Sequence, residues 1–302
     1  MKLKSESLDR ITEKLGKEYV LLDEPMKNHS YMKVGGPANY LIIPGNEEEL
    51  AFVIDELKKE NYPYYIIGNG SNIIFKDEGY DGAIIKILER FSGIEIEGER
   101  AIVQAGATNK DISDKLTENG LSGFEFASGI PGCLGGGIRM NAGAYDGELK
   151  NVIEDVTVLT KEGEIKTIKN EDMGFGYRKS NVMPMGYIVL KATLKLKKDD
   201  KEKIEKRVSD LTKRREEKQP LEYPSCGSTF KRPEGHFAGG LITEAGLKGK
   251  MIGGAQVSEK HAGFIINKNN ATAKDVLDLI EYVQEKVYEN SGVRLEREAI
   301  IL

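Results

Sequence analysis

Cysteine is scarce in this chain: Cys133 and Cys226 are the only two in 302 residues, and neither has metal-ligand spacing around it. The three histidines, His29, His236 and His261, are equally scattered. These absences argue against a disulfide framework, a zinc site and a Cys/His nucleophile, and no metal is expected. A basic surplus is missing too. The 44 Lys and Arg face 49 Asp and Glu, a formal net charge of −5, so nucleic acid is not expected as a partner. No run approaches the roughly 18 apolar residues of a membrane helix, and the N-terminal stretch MKLKSESLDRITEKLGKEYV has charges where a signal peptide keeps its apolar segment. The expectation is a cytoplasmic protein without membrane insertion. What is present is a 39% hydrophobic share, enough for about two domains of core. Glycine is in excess, with 34 residues against a usual share of about 7%.

The order of periodic segments indicates mixed α and β structure. An amphipathic opening (Leu8, Ile11, Leu15) precedes a strand over 39–44. Asn46 followed by Glu47, Glu48 and Glu49 reads as a capped helix start, and Leu50, Val53, Ile54 and Leu57 give the helical spacing to about residue 61. The strand at 64–67 leads straight into Gly68-Asn69-Gly70-Ser71-Asn72. Short β-like runs follow at 83–87 and 101–105, and Thr108 with Asp111 predicts a capping box for a helix ending near Gly120. Alternation through 151–197 indicates β structure around a turn at Lys161-Glu162-Gly163. A charged helix over 201–218 connects to a C-terminal domain with a long helix over 272–290 and a last strand from Val293.

Glycine concentrates in two places, the 68–72 loop and the segment from Ser128 to Gly143, which holds Gly129, Pro131, Gly132, Gly135, Gly136 and Gly137 before Asn141-Ala142-Gly143-Ala144-Tyr145. Turns with uncovered N–H groups make anion-binding concavities, so the two loops are natural seats for a dinucleotide's pyrophosphate. The first loop has Ile73 where the G-x-G-x-x-G fingerprint needs its third glycine, and a β-like run follows it rather than a helix. A nicotinamide-type Rossmann site is disfavoured, and no P-loop sequence occurs. Cys133 within the second loop reads as a small packing residue.

Six motifs occur in one order: Val34-Gly35-Gly36-Pro37-Ala38, Gly68 to Asn72, Gly129-Ile130-Pro131-Gly132 with Asn141 to Tyr145, Gly176-Tyr177-Arg178-Lys179-Ser180, Cys226-Gly227-Ser228-Thr229-Phe230, and Leu295-Glu296-Arg297-Glu298. Together, over about 28–302, they resemble the UDP-N-acetylenolpyruvoylglucosamine reductase family, FAD enzymes of peptidoglycan precursor synthesis. The resemblance implies an α+β chain: a vanillyl-alcohol-oxidase/PCMH-type FAD-binding fold of two α+β subdomains (1–88 and 89–200) plus a C-terminal α+β substrate-binding domain (201–302). It implies FAD held by Gly68, Asn69, Gly70, Ser71, Asn72, Gly129, Pro131, Gly132, Gly135, Asn141, Gly143 and Ala144. Asn72 stands where flavin-tethering relatives carry histidine, so the FAD is expected to be non-covalent. The short stretch between Arg178 and Ser228 resembles the subclass lacking an inserted tyrosine-bearing loop. Cys133, Gly137 and Asp146 depart from a more usual serine, alanine and glycine.

The family reaction implies NADPH as reductant and UDP-N-acetylglucosamine enolpyruvate as substrate. Hydride on the terminal carbon leaves negative charge spread into the enolpyruvyl carboxylate, so the site needs donors at that carboxylate and a proton source. By resemblance, Arg178 forks onto the carboxylate, Ser228 donates the proton, and Glu298 helps polarise the carboxylate, protonated or held in a hydrogen bond. In a strand Glu296 and Glu298 would share one face, about 6.5 Å apart; geometry leaves both open, and the family pattern selects Glu298. Tyr177, Lys218 and Arg232 are expected to contact the UDP part. A monomer or weak oligomer is expected. Two other readings remain: a flavin oxidase of a sugar or hydroxy acid on the same fold, and a non-catalytic nucleotide-binding module.

Overall fold

The computed structural model describes residues 2–302. The chain divides into two compact units, each assembled from three stretches: Met1–Leu22, Tyr40–Asn69 and Gly82–Arg215 form the first, and Asp23–Asn39, Gly70–Asp81 and Glu216–Leu302 the second.

The first unit begins with the amphipathic helix Ser5–Leu15, whose Ile11 and Leu15 are buried. Helix Glu47–Lys59 buries Leu50, Val53, Ile54 and Leu57, and Asn46 Oδ1 accepts the Glu49 N–H at 2.8 Å, as the sequence pattern predicts. Strands Tyr64–Ile67 and Tyr80–Lys86 are neighbours in one sheet. In it Tyr64 pairs with Ala83 and Ile67 with Lys86 in parallel register, and the glycine loop leaves from the end of Tyr64–Ile67. A second, antiparallel sheet has the order Ile165–Lys169, Ile153–Leu159, Ile188–Lys195, Arg100–Gln104, Ile94–Glu97. Its inward side chains include Val103, Val156, Val158, Ala192 and Leu194, all buried, which is the period-2 pattern of a sheet with one wet face. Helix Asn109–Glu118 starts at Thr108, whose hydroxyl accepts the Asp111 N–H at 3.1 Å. The expected capping box is only half formed. Asp111 Oδ2 takes the Thr108 hydroxyl at 2.6 Å instead of the Thr108 N–H.

The second unit holds an antiparallel sheet, Ser225–Ser228, Phe264–Asn267, Ala255–Val257, Met251–Ile252. Helix Ala273–Ser291 buries Val276, Leu279, Ile280, Val283 and Val287, and here Thr272 and Asp275 do make a full capping box. Asp77 adds a second cap, accepting the N–H groups of Ala273 at 2.8 Å and Lys274 at 2.9 Å. The strand expected from Val293 is a correction. Regular pairing is confined to Ile300–Ile301 beside Ile73–Ile74, with one isolated bridge between Phe230 and Arg297. Side chains replace the ladder there: Gln284 Nε2 donates to Leu295 O at 2.7 Å and Arg297 Nε to Ala299 O at 3.0 Å.

Candidate active site

The second glycine segment is laid against residues 105–109. Leu134 N–H donates to Ala107 O at 2.9 Å and Gly135 N–H to Ala105 O at 2.8 Å, and Thr108 bridges Cys133. The segment also forms the short helix Leu134–Arg139, which glycine counting does not foresee. Gly132 has φ +134°, a conformation open to glycine and strained for other residues. The N–H groups of Gly129 and Gly132 have no acceptor among the described residues.

Cys133 is the junction of the two loops within the first unit. It is 3% exposed, and a Cβ on Gly68 would fall well inside the radius of its sulfur. The N–H groups of Gly136, Asn69 and Gly135 surround that sulfur, yet burial dominates and pushes the thiol up. Cys133 is thus a neutral packing group. Beside it opens a cavity of about 300 Å³, lined by Tyr65, Gly68, Cys133, Gly135, Gly136 and Arg139 among others. Tyr65 Oη and Arg139 Nε are buried without hydrogen-bond partners among the described residues. Bare amides, side-chain-free approaches and unpaired polar atoms around one apolar hollow suit a flavin dinucleotide. Tyr65 and Arg139 were missed in the sequence because nothing in their spacing signals a shared wall.

Further along, Gly143–Ala144 pairs with Gly147–Glu148 across Tyr145 and Asp146, both at positive φ (51° and 65°), a type I′ hairpin. Asp146 thus adopts the left-handed conformation that this turn requires. Asn141, 1% exposed, spends both side-chain donors on Glu148 Oε2 (2.6 Å) and Gly176 O (3.2 Å), and its Oδ1 accepts Lys150 N–H at 3.0 Å. Its side chain braces the loop that leads to Tyr177.

Arg178 sits in a tight turn in which Gly176 and Lys179 exchange both backbone hydrogen bonds, at 3.0 and 3.2 Å. Its φ of +52° belongs to the left-handed region that arginine seldom occupies. Such an outlier is costly and concentrates at functional sites. Tyr177, 55% exposed, lies 5.1 Å beneath the guanidinium.

In the second unit, Gly70 (φ +64°) leaves no room for a side chain against His29 O, and its carbonyl accepts the Tyr31 N–H at 3.1 Å. Ser71 is half-buried. Asn72 is tied to the C-terminal segment: its carbonyl accepts Ile300 N–H at 3.0 Å and its Nδ2 donates to Glu298 O at 3.3 Å. Ser228 ends a strand with a bulge at Gly227 (φ +73°). The Ser228 side chain is exposed, and its hydroxyl has no partner among the described residues. Glu298 N–H donates to Thr229 O at 2.8 Å, so the backbone segments that carry Ser228, Glu298 and Asn72 lie against one another. Glu296 points elsewhere, exposed and paired with Lys231, whereas Glu298 is half-buried. That separates two carboxylates which a regular strand would have aligned. Arg232 stacks on Phe237 at 4.0 Å, and Lys218 ends the helix Lys201–Lys218, exposed. Cys226 is buried, its thiol donating to Ile73 O at 3.4 Å and pushed up to about 12 by desolvation.

Residues 38–169 match the profile of an FAD binding domain. The fold also superposes on alkyldihydroxyacetonephosphate synthase over 65% of this chain and 41% of that one (TM-score 0.50, 16% identity), a likeness of fold alone. The molecule is therefore an FAD-binding α+β protein of the PCMH-type fold with an added C-terminal domain. Residues 219–302 match the C-terminal domain of UDP-N-acetylenolpyruvoylglucosamine reductase. Enzymes of that name from Clostridium kluyveri (51% identity over 97% of this chain and 96% of theirs) and Clostridium beijerinckii (55%, over 93% and 92%) are similar nearly end to end. The Thermus caldophilus enzyme's crystal structure superposes with a TM-score of 0.80 at 37% identity, over 93% of this chain and 97% of that one. The chain belongs to the UDP-N-acetylenolpyruvoylglucosamine reductase family. It is an FAD-dependent oxidoreductase of peptidoglycan precursor synthesis.

Proposed function

We propose that the chain reduces the enol-ether double bond of UDP-N-acetylglucosamine enolpyruvate, giving UDP-N-acetylmuramate, as a member of the shorter subclass without the tyrosine-bearing insertion. FAD, bound without a covalent link, supplies hydride equivalents taken from NADPH. The N–H groups of the two glycine loops hold its diphosphate. Arg178 binds the enolpyruvyl carboxylate through two charge-assisted hydrogen bonds and keeps its charge throughout. Ser228 delivers the proton to the carbon next to that carboxylate, and Glu298, protonated or held by a hydrogen bond, shares the carboxylate's developing charge. Tyr177, Lys218 and Arg232 contact the UDP part. The working division is 1–88 and 89–200 for cofactor and 201–302 for substrate, in a cytoplasmic monomer or weak oligomer. Among the described residues no helix is long and apolar enough to cross a membrane.

The observation that supports this reading is the backbone bond from Glu298 N–H to Thr229 O at 2.8 Å, which pairs the segment carrying Glu298 with the residue that follows Ser228. The test mixes purified protein, NADPH and the enolpyruvyl sugar nucleotide and follows NADPH loss. Oxidation beyond the reduction of the bound flavin should require the sugar nucleotide. Sugar-dependent oxygen uptake would favour an oxidase, and bound flavin that NADPH does not bleach would favour a non-catalytic module.

A further inference from the structure

Asn109 is 2% exposed at the start of helix Asn109–Glu118, a polar side chain where an apolar one would bury more cheaply. Its reach explains it. The main-chain N–H donates to Gly132 O at 3.1 Å, and Nδ2 donates to Ile130 O at 3.1 Å. With the bonds of Leu134 to Ala107 and Gly135 to Ala105, four hydrogen bonds fasten residues 130–135 onto residues 105–109. Only one of the four comes from a side chain, and that one holds the outermost residue. The peptide it grips precedes Pro131, which has no N–H, so the Ile130 carbonyl is the only handle by which that plane can be turned. Asn109 Oδ1 has no donor among the described residues, so the tether is the amide's sole hydrogen bond.

We propose that Asn109 is the positioning residue of the second glycine loop: by drawing the Ile130 and Gly132 carbonyls against its helix, it leaves the loop's N–H groups facing the flavin diphosphate. Pro131 locks its own φ, so pinning the carbonyls of Ile130 and Gly132 on either side of it fixes the turn that carries the Gly129 and Gly132 N–H groups. The inference rests on the FAD-binding reading and adds to it a residue that touches the loop rather than the cofactor.

The test uses holoenzyme. FAD release on dilution, read by flavin fluorescence, gives the dissociation constant, and melting is followed with and without FAD. Asn109→Ala removes the tether, while Asn109→Asp keeps the shape and sets a carboxylate against the Ile130 carbonyl. Both should weaken FAD binding, by about 10- to 100-fold, the aspartate more. The FAD-free Asn109→Ala protein should melt nearly as the wild type does, whereas the buried aspartate lowers melting in both states. Unchanged affinity in either variant overturns the proposal. So does an equal fall in the Asn109→Ala melting temperature with and without FAD, or insolubility of both variants, since each marks Asn109 as a fold determinant alone. Wild-type protein that retains no FAD would remove the underlying reading, and this one with it.

Discussion

The second glycine loop and the bulge at Gly227 use the same residue type for opposite reasons. Around the loop, added methyl groups would collide: at Gly137 with Leu149 (2.8 Å), at Gly143 with Gly147 O (2.6 Å), and at Gly135 tightly against Ala105 (3.0 Å). At Gly227 nothing lies within 4 Å of the added carbon, and only the positive φ demands glycine. The cofactor region is walled in and prebuilt, while Ser228 projects into the open from a backbone held by pairing with Glu298 and Gly263. On the proposed reading, rigidity would serve where an aromatic ligand is gripped, and access where a sugar nucleotide enters and leaves.

Substitutions can break that contrast. Ser228→Ala should cut turnover about 100- to 1,000-fold while FAD content and its bleaching by NADPH persist; stopped-flow measurement of the two half-reactions separates them, and near-normal turnover removes Ser228 from the chemistry. Gly68→Ala should cost about 1–3 kcal/mol through overlap with Cys133 and expel FAD. The double variant with Cys133→Ala should recover much of both, because the overlapping atom is the sulfur. Were the double variant no better than the single, the packing account of Cys133 would fail. Arg178→Gly should melt higher, by about 1 kcal/mol of relieved backbone strain, even as substrate reduction collapses; a lower melting temperature would deny that the turn stores strain.

The smallest effect concerns pH. Burial holds His261 below its ordinary value, with its Nδ1 accepting the Gly263 N–H at 3.1 Å and its ring against Phe264 at 4.9 Å. The unfolded chain therefore binds the proton more readily, and stability must decline as pH falls below about 6.5. In His261→Gln the melting temperature should depend less on pH between 7 and 5.5.

Much of the fold was legible because local signals coincide with tertiary demand. Asn46 with its three glutamates and the stripe Leu50, Val53, Ile54 and Leu57 say the same thing at two levels. The last strand was not, because Leu295 and Ala299 find side-chain donors far off or two residues away, which no periodicity records. At the site, the two glycine loops announced themselves by composition. Their surroundings did not: Asn109 reaches Ile130 O from a separate helix, and Tyr65 and Arg139 line the cavity from distant stretches of sequence. Nor could strand alternation tell Glu296 from Glu298, whose difference arises from Lys231 and from a single bridge rather than a ladder.

Asp77 gives the molecule a timetable. It caps a helix that begins nearly two hundred positions later, at Ala273 and Lys274, so the stretches 23–39 and 70–81 emerge from the ribosome long before the helix they belong with exists. The first unit's material is complete by Arg215. The second must wait for the stretch Glu216–Leu302, and a chain truncated before Ala273 leaves those early stretches without their partner.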